Sequence, residues 1–132
     1  MDTLTGIPNR NMCVDRLTHA IAKARRSGAP VSVLIVGLDH FKEVNDTMGH
    51  LAGDLLLCSA SDRLQTLLRD SDTLARLGSD EFVVIIDDEQ NIDAVPIVTQ
   101  KIIDSFKKPF DISECEVLIG ASIGISIFPQ DD

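Results

Sequence analysis

The chain has 132 residues, of which 44% are hydrophobic and 25% are charged, and its formal net charge at pH 7 is −9. These values are typical of a single globular domain that is long enough to bury a core. The excess of acids argues against a nucleic-acid-binding protein, because phosphate backbones are bound by clustered Lys and Arg. The sequence also lacks a membrane segment, since no apolar run approaches the roughly 18 residues that a span requires.

The cysteines and the first residues indicate the cellular compartment. Cys13, Cys58 and Cys115 are odd in number, far apart, and without the spacing of a zinc site. Such cysteines are typical of a reduced protein. The first ten residues lack the charged and apolar regions of a signal peptide. We therefore expect a cytoplasmic location.

In chain order, the first predicted elements are an irregular lead-in, a helix and a buried strand. The lead-in, DTLTGIPNR (residues 2–10), contains Gly6, Pro8 and Asn9, which disfavour regular structure. Apolar residues then recur at helical spacing over residues 11–26. Residues 31–38 are β-branched and almost wholly apolar, which predicts a strand that is buried on both faces.

The middle of the chain predicts two helical segments and a hairpin. Residues 39–53 are polar and contain two glycines, which indicates a short helix and a loop. Asp54 is then expected to cap a longer helix. Residues 73–77 and 82–86 predict two strands, joined by a connection over residues 78–81 that has a typical hairpin length.

The last third of the chain predicts another helix and a closing hairpin. The helix is expected to begin near Asp93, and its predicted buried residues are Val95, Val98, Ile102 and Phe106. Residues 110–112 and 117–128 then predict the two arms of the hairpin. This order of elements indicates an α/β fold with a mixed or antiparallel sheet, rather than a doubly wound parallel one.

Three polar stretches next to predicted strand ends are candidate ligand sites. After the first strand, Asn45 and Asp54 carry groups that can bind a purine edge, and Lys42 can neutralise a phosphate. The alternative for this stretch is a helix-rich loop with solvated charges. At the predicted hairpin turn, Asp80 and Glu81 are suited to Mg²⁺, but two acids at a turn are also consistent with simple solvation.

The third polar stretch is RDSD, just before the second predicted strand. Arg69 and Asp72 lie three residues apart, so the pair could bind the guanine and the phosphate of a nucleotide at the protein surface. The alternative is an ordinary surface ion pair, which contributes little to stability.

Four ordered stretches resemble the GGDEF domain of the bacterial diguanylate cyclase family, which makes cyclic di-GMP from two GTP. They are DTLTGIPNR, LDHFKEVNDTMGHLAGDLLL, RLGSDEF and ASIGISIFP. The resemblance covers the whole chain. It implies a five-stranded, mostly antiparallel sheet flanked by helices, similar to the palm of nucleotidyl cyclases. It also implies Mg²⁺ as cofactor, GTP and cyclic di-GMP as ligands, and a homodimer.

The resemblance implies a role for each polar residue above. Asn45 and Asp54 match the guanine-reading positions, and the full implied GTP site comprises Lys42, Asn45, Asp54, Arg76, Gly78 and Ser79. Asp80 and Glu81 match the catalytic acids. The implied metal ligands are Asp80, the backbone of Leu38 and Asp39, the last of which we expect to be directed away from the ion. Arg69 and Asp72 match the RxxD site at which cyclic di-GMP inhibits.

Three departures from the family pattern bear on activity. Gly37 stands where the family has its first metal-binding aspartate, and Ser79 replaces the second glycine of the signature. The chain also ends at Asp132, before the basic C-terminal helix that the family usually carries. We therefore expect a single GGDEF domain, residues 1–132, that belongs to a larger signalling protein with an EAL or sensor domain.

The departures leave two main hypotheses for the activity, beside the alternative of a structural module that binds no ligand. The first is a catalytically weak or inactive domain that binds GTP or cyclic di-GMP as a regulatory module. The second is an active diguanylate cyclase, in which Asp39 or Glu81 replaces the missing acid.

Overall fold

The computed structural model describes residues 1–87 and 94–128, and within these ranges it contains four helices and six strands. In chain order they are α1 (Arg10–Ser27), β1 (Val31–Leu38), α2 (Phe41–Met48), α3 (His50–Leu67), β2 (Thr73–Arg76), β3 (Glu81–Ile86), α4 (Ala94–Ser105), β4 (Phe110–Ile112), β5 (Cys115–Val117) and β6 (Ala121–Phe128). None of the helices in these ranges is both long enough and apolar enough to cross a membrane.

The centre of the fold is an antiparallel sheet with the strand order β2-β3-β1-β6. The predicted α/β class, with a mostly antiparallel sheet flanked by helices, is confirmed. In the described residues this sheet has four strands rather than five, because β4 and β5 form a two-stranded sheet of their own. The middle strand β1 pairs along its length with both β3 and β6, so its C-terminal end lies between the starts of these two strands.

The predicted closing hairpin is wrong. β4 pairs with β5 instead of with residues 117–128, and β6 crosses the molecule to pair with β1. The physical reason is the two-residue turn formed by Ser113 and Glu114, whose φ angles are 49° and 67°. Two consecutive residues with positive φ close a tight hairpin early and leave the apolar residues of β6 free to join the larger sheet.

Both faces of β1 are covered, as predicted for this strand. Because side chains alternate along a strand, Leu34 and Val36 point to one face and Val33 and Ile35 to the other. The first pair is fully buried in a core with α2, α3 and α4, and the second packs towards α1. Each fully buried Leu or Val contributes about 1.5–3 kcal/mol, so the two cores fix the position of β1.

The helix predictions are confirmed except at one boundary. α1 extends one residue beyond the predicted range at each end. α4 buries Val95, Val98 and Ile102, and the fourth predicted residue, Phe106, is buried just after the helix ends. The predicted helix start, Asp93, lies outside the described residues. Asp54 is not a cap, because α3 already begins at His50. Gly49, with φ of 94°, joins α2 to α3 directly and leaves no loop between them.

Candidate functional site

The C-terminal end of β1 meets the turn that contains the predicted acids. The connection between β2 and β3 is residues 77–80, one residue earlier than predicted, and we call it the signature turn. The Leu38 N–H donates to the Asp80 carbonyl at 3.0 Å. Glu81 is the first residue of β3 and pairs with Gly37. The backbone therefore brings Leu38, Asp80 and Glu81 together.

Asp39 lies just past β1 and is turned towards β6. The Ser122 hydroxyl donates to Asp39 Oδ1 at 2.6 Å, and the Asp39 N–H donates to the Gly120 carbonyl at 3.0 Å. A Cβ atom at Gly120 would lie 3.0 Å from Asp39 Oδ2, which shows how closely the carboxylate packs on that segment. Asp39 is thus held on the β6 side, on the opposite side of β1 from the signature turn.

The acids at the signature turn suit a magnesium ion that is shared with a nucleotide. Mg²⁺ is usually held by one or two carboxylates together with water and substrate phosphates. Asp80 and Glu81 offer this kind of oxygen, whereas no three His, Cys, Asp or Glu side chains within residues 1–87 and 94–128 form a metal cluster. Gly37 supplies no ligand. A Cβ atom there would meet only the Ser122 carbonyl, at 3.8 Å, so the fold leaves room for a larger side chain.

Ser79 does not strain the signature turn. Gly78 and Ser79 are absent from the residues with positive φ, so their backbone conformation is one that any residue can adopt. Ser79 therefore introduces no backbone strain into the turn. The Ser79 side chain is exposed.

Arg76, at the end of β2, donates hydrogen bonds to the backbone of the signature turn. Its Nε donates to the Gly78 carbonyl at 3.2 Å, and its Nη2 donates to the Ser79 carbonyl at 3.1 Å. Its Nη1 lies 3.3 Å from each carboxylate oxygen of Asp2. All three guanidinium nitrogens are therefore engaged by the protein itself, in a site where only 18% of the Arg76 side chain is exposed.

The predicted guanine-binding residues lie at the junction of α2 and α3. Asn45 is half-buried, and a Cβ atom at Gly53 would collide with its side-chain amide. Asn45 therefore packs directly on the backbone of α3, next to the exposed Asp54. Lys42 is exposed on the first turn of α2. An amide, a carboxylate and a cation thus occur on the helices that follow β1.

The Arg69–Asp72 pair is more than a surface ion pair. The Asp72 side chain is 0% exposed, whereas 52% of the Arg69 side chain is exposed. Asp72 accepts hydrogen bonds from the Arg69 N–H at 3.0 Å, from Nε at 3.3 Å and from Nη2 at 3.0 Å. The pair precedes β2, and the signature turn follows β2, so the two candidate sites lie at opposite ends of one strand.

Sequence reasoning missed Asp2, Gly53 and Ser122 as parts of these sites. Asp2 accepts from the Thr5 N–H at 2.9 Å and from the Thr5 hydroxyl at 2.7 Å. Burial acts to raise the pKa of Asp2, but these hydrogen bonds and the charge of Arg76 outweigh it and hold the pKa below its usual value. Asp and Thr side chains that bond nearby backbone are common in turns, so a local turn at Asp2 was within reach of the sequence. Nothing in the sequence pairs Ser122 with Asp39.

The antiparallel sheet, with Asp80 and Glu81 beside the C-terminal end of β1 and polar side chains on the next helices, is that of a nucleotidyl-cyclase-type signalling domain. The family model "Diguanylate cyclase, GGDEF domain" matches residues 1–132. The chain belongs to the GGDEF domain family.

Known relatives agree with this assignment. The chain is 45% identical over 130 residues to the bifunctional diguanylate cyclase/cyclic di-GMP phosphodiesterase MucR of Pseudomonas aeruginosa, covering 98% of this chain and 19% of MucR. Since it spans about a fifth of that relative, the comparison concerns one domain.

Solved structures share the fold. The GGDEF domain of TpbB from Pseudomonas aeruginosa matches with a TM-score of 0.93 and 36% identity, covering 98% of this chain and 76% of that one. The GGDEF domain of DgcB from Caulobacter crescentus, solved in complex with cyclic di-GMP, matches with a TM-score of 0.88 and 25% identity, covering 96% and 76%.

Proposed function

We propose that this GGDEF domain is a nucleotide-binding regulatory module of cyclic di-GMP signalling in the cytoplasm, with weak or absent cyclase activity. The observation that carries the proposal is Gly37. Gly37 pairs with Glu81, next to the signature turn, and it occupies the position where the family resemblance implies a metal-binding aspartate. A missing principal ligand lowers metal affinity and the stabilisation of charge that develops on transferring phosphates.

GTP binding is supported by the groups that the site retains. Asn45 and Asp54 offer an amide and a carboxylate to the guanine edge, and Lys42 offers a charge to the phosphates. Asp80 and Glu81 would hold a Mg²⁺ ion together with the nucleotide. When bound, that ion would neutralise phosphate charge, and the chain's own part is to orient the base and the triphosphate.

Cyclic di-GMP binding is supported by the Arg69–Asp72 pair. Because the buried Asp72 carboxylate fixes the guanidinium, half of the Arg69 side chain is presented to solvent in one orientation. A fixed guanidinium fork binds guanine and phosphate oxygens at low entropic cost. The related DgcB domain has been solved in complex with this nucleotide. A homodimer and an adjoining EAL or sensor domain fit the same proposal, since MucR joins both activities in one longer chain.

The second candidate is an active diguanylate cyclase that condenses two GTP into cyclic di-GMP and pyrophosphate. It is favoured by the geometry at the signature turn, where Asp80 and Glu81 lie next to the backbone of Leu38. In this case Glu81 would take over the part of the missing acid, because Asp39 is bonded to Ser122 on the other side of β1.

Turnover separates the two candidates. The full-length protein is incubated with GTP and Mg²⁺, and cyclic di-GMP and pyrophosphate are quantified. We expect little product, and robust turnover by the wild type would establish the second candidate instead.

Calorimetric titration then identifies the bound nucleotide. We expect Asp80→Ala to weaken GTP binding and Arg69→Ala to weaken cyclic di-GMP binding, each without affecting the other ligand. A wild-type protein that binds neither nucleotide at millimolar concentration would leave only a structural role for the domain.

A further inference from the structure

The lead-in is an ordered loop closed by its own hydrogen bonds. The Asp2 N–H donates to the Ile7 carbonyl at 2.8 Å, and the Gly6 N–H donates to the Asp2 carbonyl at 2.9 Å. The Asp2 carboxylate accepts from the backbone and the hydroxyl of Thr5. These bonds fix the direction of the Asp2 side chain, so its carboxylate is presented at one defined point.

The lead-in is also attached to the body of the domain at separate points. The Arg76 N–H donates to the Pro8 carbonyl at 2.9 Å, and the Cys58 thiol donates to the Leu4 carbonyl at 3.4 Å. Ile7 is buried in the main core. A displacement of the lead-in would therefore act on β2 and on Arg76 directly.

Arg76 links this loop to the signature turn through one rigid group. Its guanidinium contacts Asp2 with one nitrogen and the carbonyls of Gly78 and Ser79 with the other two. Because the fork is planar, the position of the carboxylate determines where the other two donors point. Only 18% of each side chain is exposed, so the pair is less screened than a surface ion pair.

The carbonyls that Arg76 holds lie in the segment that places the acids. The N–H groups of Leu77 and Gly78 donate to the Glu81 carbonyl at 2.9 and 3.3 Å, and the Asp80 carbonyl accepts from Leu38. Few bonds therefore define this turn, and the two from Arg76 are a large part of them. Loss of the partner that orients Arg76 would loosen the turn without removing any group that contacts a nucleotide.

We infer that Arg76 is a positioning residue rather than a substrate contact, and that Asp2 couples the lead-in to the nucleotide site by orienting it. Displacement of the lead-in then weakens GTP binding at the signature turn and leaves the Arg69–Asp72 site, at the other end of β2, unaffected. The GTP part of this inference rests on the proposed function, but the coupling between lead-in and turn does not.

The test compares Asp2→Asn with Thr5→Val in the full-length protein. Asp2→Asn removes the charge that orients Arg76, whereas Thr5→Val removes a hydroxyl bond inside the lead-in and leaves the Asp2–Arg76 pair. In ligand-free protein, we expect Asp2→Asn to speed hydrogen exchange at residues 77–81 about tenfold, as for loss of one charge-assisted hydrogen bond. Thr5→Val should change exchange mainly in the lead-in, because the Thr5 backbone N–H still donates to the Asp2 carboxylate and holds it near Arg76.

Two titrations complete the test. Asp2→Asn should raise the Kd for GTP with Mg²⁺ by about tenfold and leave the Kd for cyclic di-GMP unchanged. Unchanged exchange at residues 77–81, or an equal effect of Thr5→Val, would overturn the inference. If the wild type binds no GTP, the proposed function fails, but the exchange measurement still decides the coupling. If Asp2→Asn does not fold, Arg76→Lys takes its place, because one amine cannot reach the carboxylate and both carbonyls.

Discussion

The two ends of β2 carry two candidate sites that differ in completeness. At one end, Arg69 and Asp72 form a pair that is closed by three hydrogen bonds to a fully buried carboxylate. At the other end, the signature turn has its acids, but Gly37 contributes no side chain beside them. The first end has both residues of the RxxD pattern, whereas the second lacks the acid that the family pattern has at position 37.

This difference shows that the backbone shape of the signature turn does not depend on a carboxylate at position 37. The turn is shaped by backbone hydrogen bonds and by Arg76, and none of these requires a carboxylate at position 37. The acid can therefore be lost at little cost to folding. By contrast, removing Asp72 would leave Arg69 without the group that orients it.

The largest expected effect is a gain of function at the incomplete site. Gly37→Asp should raise cyclic di-GMP formation from GTP and Mg²⁺ about 100-fold, the size of effect found for a single charge-stabilising group. A Cβ atom fits at this position. Because the new acid faces Glu81, we also expect Mg²⁺ to raise the Tm of this variant more than that of the wild type.

Gly37→Asn is the matched control, since it has the same shape without the charge. Equal product from the Asp variant, the Asn variant and the wild type would mean that something other than residue 37 limits turnover.

The next largest effect concerns the Arg69–Asp72 pair. Asp72→Asn should weaken cyclic di-GMP binding at least tenfold and lower the free energy of unfolding by about 1–2 kcal/mol, because it weakens the hydrogen bonds to a buried acceptor while its partner Arg69 is half-exposed. Titration calorimetry and urea unfolding measure the two quantities. Asp70→Asn, an exposed neighbour, should change neither. Weakened GTP binding in Asp72→Asn would show that the two ends of β2 are not independent.

The sequence could predict the elements that have strong local patterns. β1 and α1 were predicted within a residue, because continuous β-branched residues and helical spacing are local signals. The junction of α2 and α3 and the pairing of β6 were not predicted. Gly49 joins two helices through a positive φ, and the Ser113–Glu114 turn lacks the glycine that usually marks a tight hairpin.

The residues of the candidate site could be proposed from the sequence, but their contacts could not. The motif resemblance indicated Asp80, Glu81 and Asn45, and the structure brings the first two next to Leu38. The interaction of Asp2 with Arg76 joins residues 74 positions apart, and such a contact depends on the tertiary fold. For the same reason, the packing of Asn45 on the third helix was not apparent from spacing.

A smaller effect is expected from Gly53→Ala, which tests whether Asn45 contributes to GTP binding. The new methyl group would collide with the Asn45 amide and displace it. We expect GTP affinity to fall about fivefold, roughly the loss of one hydrogen bond. Alanine favours a helix interior over glycine by about 1 kcal/mol, which limits the loss of stability.

Gly124→Ala is the control for this substitution, because a Cβ atom there meets nothing within 4 Å. Unchanged GTP affinity in Gly53→Ala would argue against Asn45 as a guanine contact.

The smallest expected effect is a pH dependence of the free energy of unfolding that arises from Asp2, next to the signature turn. The pKa of Asp2 lies below its ordinary value of 3.8 in the folded protein, so its ionised form stabilises the native state. This contribution is fully present above the pKa of the unfolded chain and is lost as the pH falls through the lower folded value. Urea unfolding should therefore show wild type more stable than Asp2→Asn at pH 7, with a smaller difference near pH 3. A difference that is constant across this range would mean that the charge of Asp2 does not carry the stabilisation, and that the Asn variant acts through packing alone.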